Sequence, residues 1–284
     1  MESLQVLKVL NNNVVIASHG HYGEVVVIGR GVGFGKKAKD LIQADAGEKM
    51  FILRNQKEKE LYKRLLEQVD EKLIGVMNDV IYYIAQHAGA PLNEHIHIAL
   101  TDHIAFAVMR YRQGITVHNP FNYETREFYP REYKLAEYAV AEINSKLGIE
   151  LPDDEIGFVA LHIHSAIADR PIGEVKENSQ LISDLVELIE RSIGIKVQRD
   201  SLNYSRLLRH LMIALERVRR GEQVDEPDKI TELIKTEYPE MYSLAWTLIK
   251  VIQQRLHKPV YDAEAVFLTL HLQRIVQNSA EYRQ

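Results

Sequence analysis

The sequence predicts a multidomain chain: a small antiparallel four-stranded β domain followed by two all-α helical-bundle domains. Three observations carry that prediction. Short apolar runs separated by turn residues fill roughly the first 55 positions. Near residue 56 glycine becomes rare and apolar residues take up helical spacing. The helical remainder then repeats itself, at an offset of 109 residues over its longest matched stretch and 107 upstream of it.

The β elements come first. Residues 4–10 (LQVLKVL), 13–18 (NVVIAS) and 23–29 (GEVVVIG) are rich in Val, Ile and Leu, side chains that suit a pleated, half-buried surface. His19-Gly20-His21-Tyr22 has turn chemistry between the second and third runs. A glycine-rich loop from Gly29 to Gly35 follows, then a polar stretch and a last strand at 48–54 (EKMFILR). Four short strands bury too little apolar surface to be comfortable alone, so dimerisation of this head is expected. The boundaries read from these changes are 1–57 for the head, 66–171 for the first helical domain and 172–284 for the second.

The helical domains are copies of one another. EFYPREYKLAEYAVAEINSKLGIELPDDEIGFVALHIH, from Glu127, aligns with TEYPEMYSLAWTLIKVIQQRLHKPVYDAEAVFLTLHLQ, from Thr236. Tyr129-Pro130 matches Tyr238-Pro239, Glu155 matches Glu264, and His162 matches His271, all 109 residues apart and without a gap. Upstream, DHIAFAVMRYRQG matches RHLMIALERVRRG at an offset of 107, pairing His103 with His210. The linker between the copies is expected near Ala168–Glu177.

Composition removes whole classes of chemistry. The 284 residues contain no cysteine, which excludes disulfides, thiolate metal sites and cysteine nucleophiles. No apolar run approaches the ~20 residues of a membrane span. The N-terminus turns polar too early for a secretory signal. A cytoplasmic protein without membrane insertion is expected. The formal charge of -5 is uneven: residues 1–55 carry +2 and the rest -7. A mildly basic head on an acidic body suits nucleic-acid contact at the head.

Twelve histidines are present, and the repeat singles out four of them: His103, His162, His210 and His271. Metal binding is disfavoured. His95-Ile-His97 and His162-Ile-His164 have HxH spacing, but on a helix that turns the two rings about 200° apart. Phosphoryl acceptance fits better, because neutral imidazole is a good nucleophile at cellular pH. The added phosphate, roughly -1.5 to -2, would repel acidic neighbours or recruit arginines. Asp102 beside His103 and Arg209 beside His210 suggest different responses in the two copies.

In the head, Asn11-Asn12-Asn13 and Gly29-Arg30-Gly31-Val32-Gly33-Phe34-Gly35-Lys36-Lys37 stand out. The loop lacks the helix and βαβ unit of a dinucleotide site, and no P-loop GK[ST] is present. Glycines would let backbone approach a ligand closely. Arg30 could pair with phosphate or a base edge, Phe34 could stack on an unpaired base, and asparagines could read base edges, as in recognition of RNA loops and bulges.

KVLNNNVV and VVVIGRGVGFGKK resemble the RNA-binding domain of the BglG/SacY family of transcriptional antiterminators. DHIAFA, GFVALHIHSA, RLLRHLMIALERV and AVFLTLHLQRI resemble that family's two PTS regulation domains, and the details look most like its glucose-type members. The resemblance covers essentially the whole chain. It implies no enzyme and no cofactor, but a homodimer that binds an RNA antiterminator hairpin and blocks an overlapping terminator. It places RNA contacts at Lys8, Asn11, Asn13, Gly29, Arg30, Gly31 and Phe34. It places phosphorylation at His103, His162, His210 and His271, by a sugar-specific enzyme II on the first copy and HPr on the second. His164 departs from the usual residue two positions after His162. A DNA-binding activator would need a helix-turn-helix head, a sugar phosphotransferase of the common type would need a cysteine, and a general RNA chaperone would not require two regulated repeats.

Overall fold

The computed structural model describes residues 3–29, 31–43, 47, 49–52, 60–61, 65, 69–199, 201–222 and 228–281. The head is one antiparallel sheet of β1 (Ser3–Asn11), β2 (Val14–His19), β3 (Gly23–Ile28), β4 (Leu41–Gln43) and β5 (Lys49–Ile52), ordered β4-β1-β2-β3-β5. The four expected strands are present. β4 is an addition, three residues with only Ile42 buried, too short to show a period in the sequence. The β2–β3 register runs unbroken from Val14 opposite Ile28 to His19 opposite Gly23.

The unbroken apolar runs of β2 and β3 have a physical cause: both faces of the sheet are buried. Val15, Ala17, Val25 and Val27 pack with Leu4, Val6, Val32 and Ile42. Val14, Ile16, Val26 and Ile28 pack instead against Leu65, Ile74 and Ile98. Apolar surface that so small a head lacks is thus supplied in part from the helices that follow it.

Ten helices follow among the described residues: α1 (Glu71–His87), α2 (Ile96–Arg112), α3 (Asn122–Phe128), α4 (Pro130–Leu147), α5 (Asp154–Ala168), α6 (Ile172–Ile193), α7 (Leu202–Arg220), α8 (Asp228–Glu237), α9 (Pro239–Leu256) and α10 (Ala263–Glu281). Asp70 caps α1 by accepting from the Lys72 N–H at 2.8 Å, and Ser201 caps α7 by accepting from the Tyr204 N–H at 3.1 Å. The expected linker at 168–177 is shorter than its composition suggested, because α6 already begins at Ile172. Residues 53–59, where the strands give way to helical spacing, lie outside the described residues.

The chain forms two compact units. Residues 1–119 and 129–172 make one, and residues 120–128 and 173–284 make the other. In the first, Met77, Ile84, Leu100, Ile104, Ile143 and Ile163 form the helical core. In the second, Leu185, Leu207, Leu211, Leu248, Ile252 and Leu268 do so. The chain therefore passes between units three times, because α3 belongs with the second unit rather than with its sequence neighbours. Its repeat counterpart, α8, packs on α9 and α10 of its own bundle.

Within the second unit, α3 buries a carboxylate. Glu124 is 3% exposed, and its Oε1 accepts from the Tyr204 hydroxyl at 2.6 Å and from Arg199 Nη1 at 3.1 Å. Arg199 also reaches Glu190 Oε1 at 3.3 Å. Burial first, then the adjacent Glu124 carboxylate, holds the Tyr204 phenol well above its ordinary range, so it stays protonated and donates. Tyr123 and Phe128 pack on the second unit's core beside this network.

One repeat position differs in backbone cost. α4 ends on Gly148 at φ 68°, whereas the corresponding cap of α9 is His257 at φ 51°. A residue with a Cβ pays about 1 kcal/mol in that left-handed region. His257→Gly is expected to stabilise the second unit by up to about 1 kcal/mol after glycine's own entropy loss. A rise in the urea midpoint followed by Trp246 fluorescence would show it; an unchanged or lower midpoint would refute it.

Candidate functional site

The asparagine turn and the glycine-rich loop form one structure. The Asn13 carbonyl accepts from the Gly29 N–H at 3.0 Å, and the Asn12 carbonyl accepts from the Gly33 N–H at 2.9 Å. The Asn13 side-chain Oδ1 accepts from the Gly31 N–H at 2.8 Å. Gly31 sits at φ 72° with open space where a Cβ would be, so its need for glycine is conformational. Val32 anchors the loop in the sheet's core, and Phe34 is displayed at 74% exposure. Lys8, Lys36 and Lys37 are exposed nearby in sequence or on the adjoining strand. Arg30 lies outside the described residues. Asn11 ends β1, paired with Val14.

The first helix of the following bundle touches this turn. Glu71 Oε1 accepts from the Asn12 N–H at 3.1 Å and from the Asn13 amide at 3.4 Å. Asn13 therefore shapes the loop and meets a carboxylate in this structure, which its residue type alone did not reveal.

The four paired histidines come together two by two. α2 carries His103 and Arg110, and α5 carries Glu155 and His162. Each pair is seven residues apart, two helical turns, which puts both members on one stripe. The His103 and His162 ring centroids lie 4.9 Å apart. His103 Nε2 is 2.9 Å from Glu155 Oε2, and Arg110 Nη2 donates to Glu155 Oε1 at 2.7 Å. Phe158 flanks His103 at 5.7 Å between centroids.

The second repeat rebuilds the cluster from α7 and α10. His210 and His271 lie 4.9 Å apart, and Phe267 lies 5.6 Å from His210. Arg217 Nη1 donates to Glu264 Oε1 at 3.0 Å. His210 Nε2 approaches Glu264 Oε2 to 3.3 Å, within ion-pair reach but without hydrogen-bond alignment. The residues that meet the histidines are thus alike in the two copies. Asp102 and Arg209, whose contrast suggested different responses, are both exposed.

Electrostatics keep the two glutamates charged. Burial pushes the Glu155 carboxyl up, but the hydrogen bonds and charges of His103 and Arg110 outweigh it and hold it below its ordinary range. The same balance, with His210 and Arg217, lowers Glu264. Burial, and then the charges of His210, Arg274 and Arg206, push His271 down to about 4, so it is neutral at cellular pH.

His164 does not share its neighbour's site. It points to Glu132, with Nδ1 2.9 Å from Oε1, and stacks on Tyr129 at 3.8 Å. Helical geometry separates it from His162 as the HxH spacing on a helix requires. Among the described residues no group of three or more His, Asp or Glu is arranged to hold a metal ion. Sequence reasoning matched Glu155 with Glu264 but gave them no role, and it passed over Arg110 and Arg217. The seven-residue spacing to the histidines, present in both copies, was the available signal.

Comparison with known proteins identifies the domains that carry these residues. Residues 4–60 match the family described as CAT RNA binding domain, and residues 78–166 and 183–275 each match the PRD domain family. The chain is 55% identical over 273 residues to the PtsGHI operon antiterminator of Bacillus subtilis, covering 96% of this chain and 97% of that relative. The chain belongs to the CAT–PRD family of antiterminators. A further member of the family, Protein GlcT of Staphylococcus saprophyticus, is 34% identical over 279 residues, covering 98% of this chain and 99% of its own length. The solved CAT-PRDI structure of GlcT has 57% sequence identity and a TM-score of 0.55, covering 58% of this chain and 98% of that one. This antiterminator thus has an RNA-binding head and a repeated regulation domain. Among the described residues no helix is long and apolar enough to cross a membrane.

Proposed function

We propose that this antiterminator binds a hairpin in a leader transcript as a homodimer in the cytoplasm, blocks the overlapping terminator, and is switched by phosphorylation of His103, His162, His210 and His271. The donors in this reading are a sugar-specific enzyme II for the first repeat, acting negatively, and HPr for the second. Glucose transport genes are the target, a choice supported by relatives named PtsGHI operon antiterminator and GlcT. The domain bounds 1–57, 66–171 and 172–284 belong to the same reading.

The observation that carries the switch is the duplicated cluster of two histidines against a buried Glu–Arg pair. Such a site is built to respond to charge. A phosphoryl group some 5 Å from a carboxylate costs about 3 kcal/mol per unit charge at an effective dielectric of ~20. Several such interactions approach the roughly 5.5 kcal/mol needed to invert a two-state equilibrium from 1:99 to 99:1.

Lys8, Asn11, Asn13, Gly29, Arg30, Gly31 and Phe34 are the proposed RNA contacts. Exposed Phe34 is the base-stacking element. Phe34→Ala is expected to weaken hairpin binding by the worth of one stack, about 1–3 kcal/mol or roughly 5- to 150-fold. Gel shift of the full chain with the leader hairpin checks this, with duplex DNA as competitor. Binding that Phe34→Ala leaves intact, or that duplex DNA competes away equally well, would remove the loop from RNA recognition.

A further inference from the structure

Each imidazole has two nitrogens, and only one can take a phosphoryl group in a given tautomer. We propose that Glu155, braced by Arg110, acts as a positioning residue that makes Nδ1 the phosphate-accepting nitrogen of His103. This rests on the phosphorylation reading above and adds the atom and the residues that select it.

The geometry fixes which nitrogen carries the hydrogen facing Glu155. Glu155 is 3% exposed, with both carboxylate oxygens engaged: Oε1 accepts from Arg110 at 2.7 Å and Oε2 lies 2.9 Å from His103 Nε2. An ionised carboxylate has no hydrogen to give, so the hydrogen in that contact belongs to Nε2. The neutral ring then carries its lone pair on Nδ1. Nε2 is doubly closed to a phosphoryl donor, by its hydrogen and by the carboxylate against it. The forces that keep Glu155 charged act in the same direction.

The step balances without moving a proton at His103. The Nδ1 lone pair forms the new N–P bond. The donor's N–P or S–P bond breaks, and its electron pair returns to the donor imidazole or thiolate. The His103 ring, still protonated on Nε2, gains positive charge, which the Glu155 carboxylate stabilises from the far side. The same carboxylate would repel phosphate arriving at Nε2 far more strongly than at Nδ1, across the ring. This is the role a buried carboxylate plays wherever it fixes the tautomer of a reacting histidine. His103 is 13% exposed at its side chain, which leaves it approachable while Glu155 is shut in. The second repeat has the same residues without that hydrogen bond: Arg217 donates to Glu264 at 3.0 Å, and His210 Nε2 comes to 3.3 Å of the other oxygen out of alignment.

The test uses the full chain, phosphorylated from phosphoenolpyruvate through purified enzyme I, HPr and the glucose-type enzyme IIB domain. Mass spectrometry under alkaline conditions locates the phosphate, and nitrogen-15 correlation spectra with isomer-specific antibodies distinguish Nδ1- from Nε2-phosphohistidine. The Nδ1 isomer is expected at His103 in roughly tenfold excess or more, the ratio one pKa unit of bias produces. In Glu155→Gln the amide can donate or accept, so the excess should fall to about twofold or less, with phosphorylation slowed about ten- to a hundredfold. Phosphate on Nε2 of His103 overturns the nitrogen assignment and leaves the phosphorylation reading standing. Phosphate absent from His103 but present on the other histidines overturns the nitrogen assignment and the place of His103 in the phosphorylation reading; phosphate on none of the four overturns both. An unchanged isomer ratio in Glu155→Gln removes Glu155 from the selection, whatever happens to the rate.

Discussion

His103→Ala should make readthrough independent of sugar. In a reporter strain with an intact phosphotransferase system, expression with and without sugar should agree to within about twofold, at the level the unsubstituted protein reaches with sugar present. The substitution deletes the proposed acceptor of the negative signal. It also leaves the Glu155 carboxylate its Arg110 partner, so no charge is stranded in the core. What disappears is the added phosphate, and with it the repulsion of about 3 kcal/mol per unit charge that would drive the switch. A reporter that keeps its full sugar response would move the negative control to His162, whose ring lies 4.9 Å away.

Glu124→Ala should be the most damaging single change to stability in α3. It strips the buried Tyr204 hydroxyl of its acceptor and Arg199 of one of its two carboxylates. Removing one member of a buried charged network costs about 3–5 kcal/mol, and the 39% exposure of Arg199 trims that to about 2–3 kcal/mol. Trp246, the only tryptophan, packs on the second unit's core and reports its unfolding in urea. Glu124→Gln keeps an acceptor for Tyr204 and should cost roughly half as much. A midpoint that Glu124→Ala leaves unmoved would mean that α3 contributes nothing to the second unit's stability.

Much of this molecule was legible in its sequence. The strands at 4–10, 13–18 and 23–29 announced themselves because their apolar runs are bounded by Asn and Gly turns. The repeat brought His103, His162, His210 and His271 forward because rare residues kept their register while their neighbours changed. Features that depend on which surfaces meet were hidden. β4 has three residues and α3 has seven, too few for any period to indicate a partner. Glu124, read along the chain, is one more acidic residue in an acidic body. Glu155 sits in a helix start where a carboxylate is ordinary, and nothing local told of its burial between His103 and Arg110. The double burial of the sheet was written in the unbroken valines of β2 and β3, but the covering surface, Leu65, Ile74 and Ile98, lay beyond the apparent domain boundary.

The triple passage of the chain between its units also sets an order of events at the ribosome. Residues 120–128 emerge with the first repeat, yet Tyr204, the buried partner of Glu124, follows 80 residues after it with the rest of α7. At ordinary rates of synthesis that is a wait of roughly 4–16 s. During it, Phe121, Glu124 and Thr125 have no core to enter. The first repeat can close around its own histidine pair while this segment is still looped out, and the second is complete only when it reclaims a helix made long before.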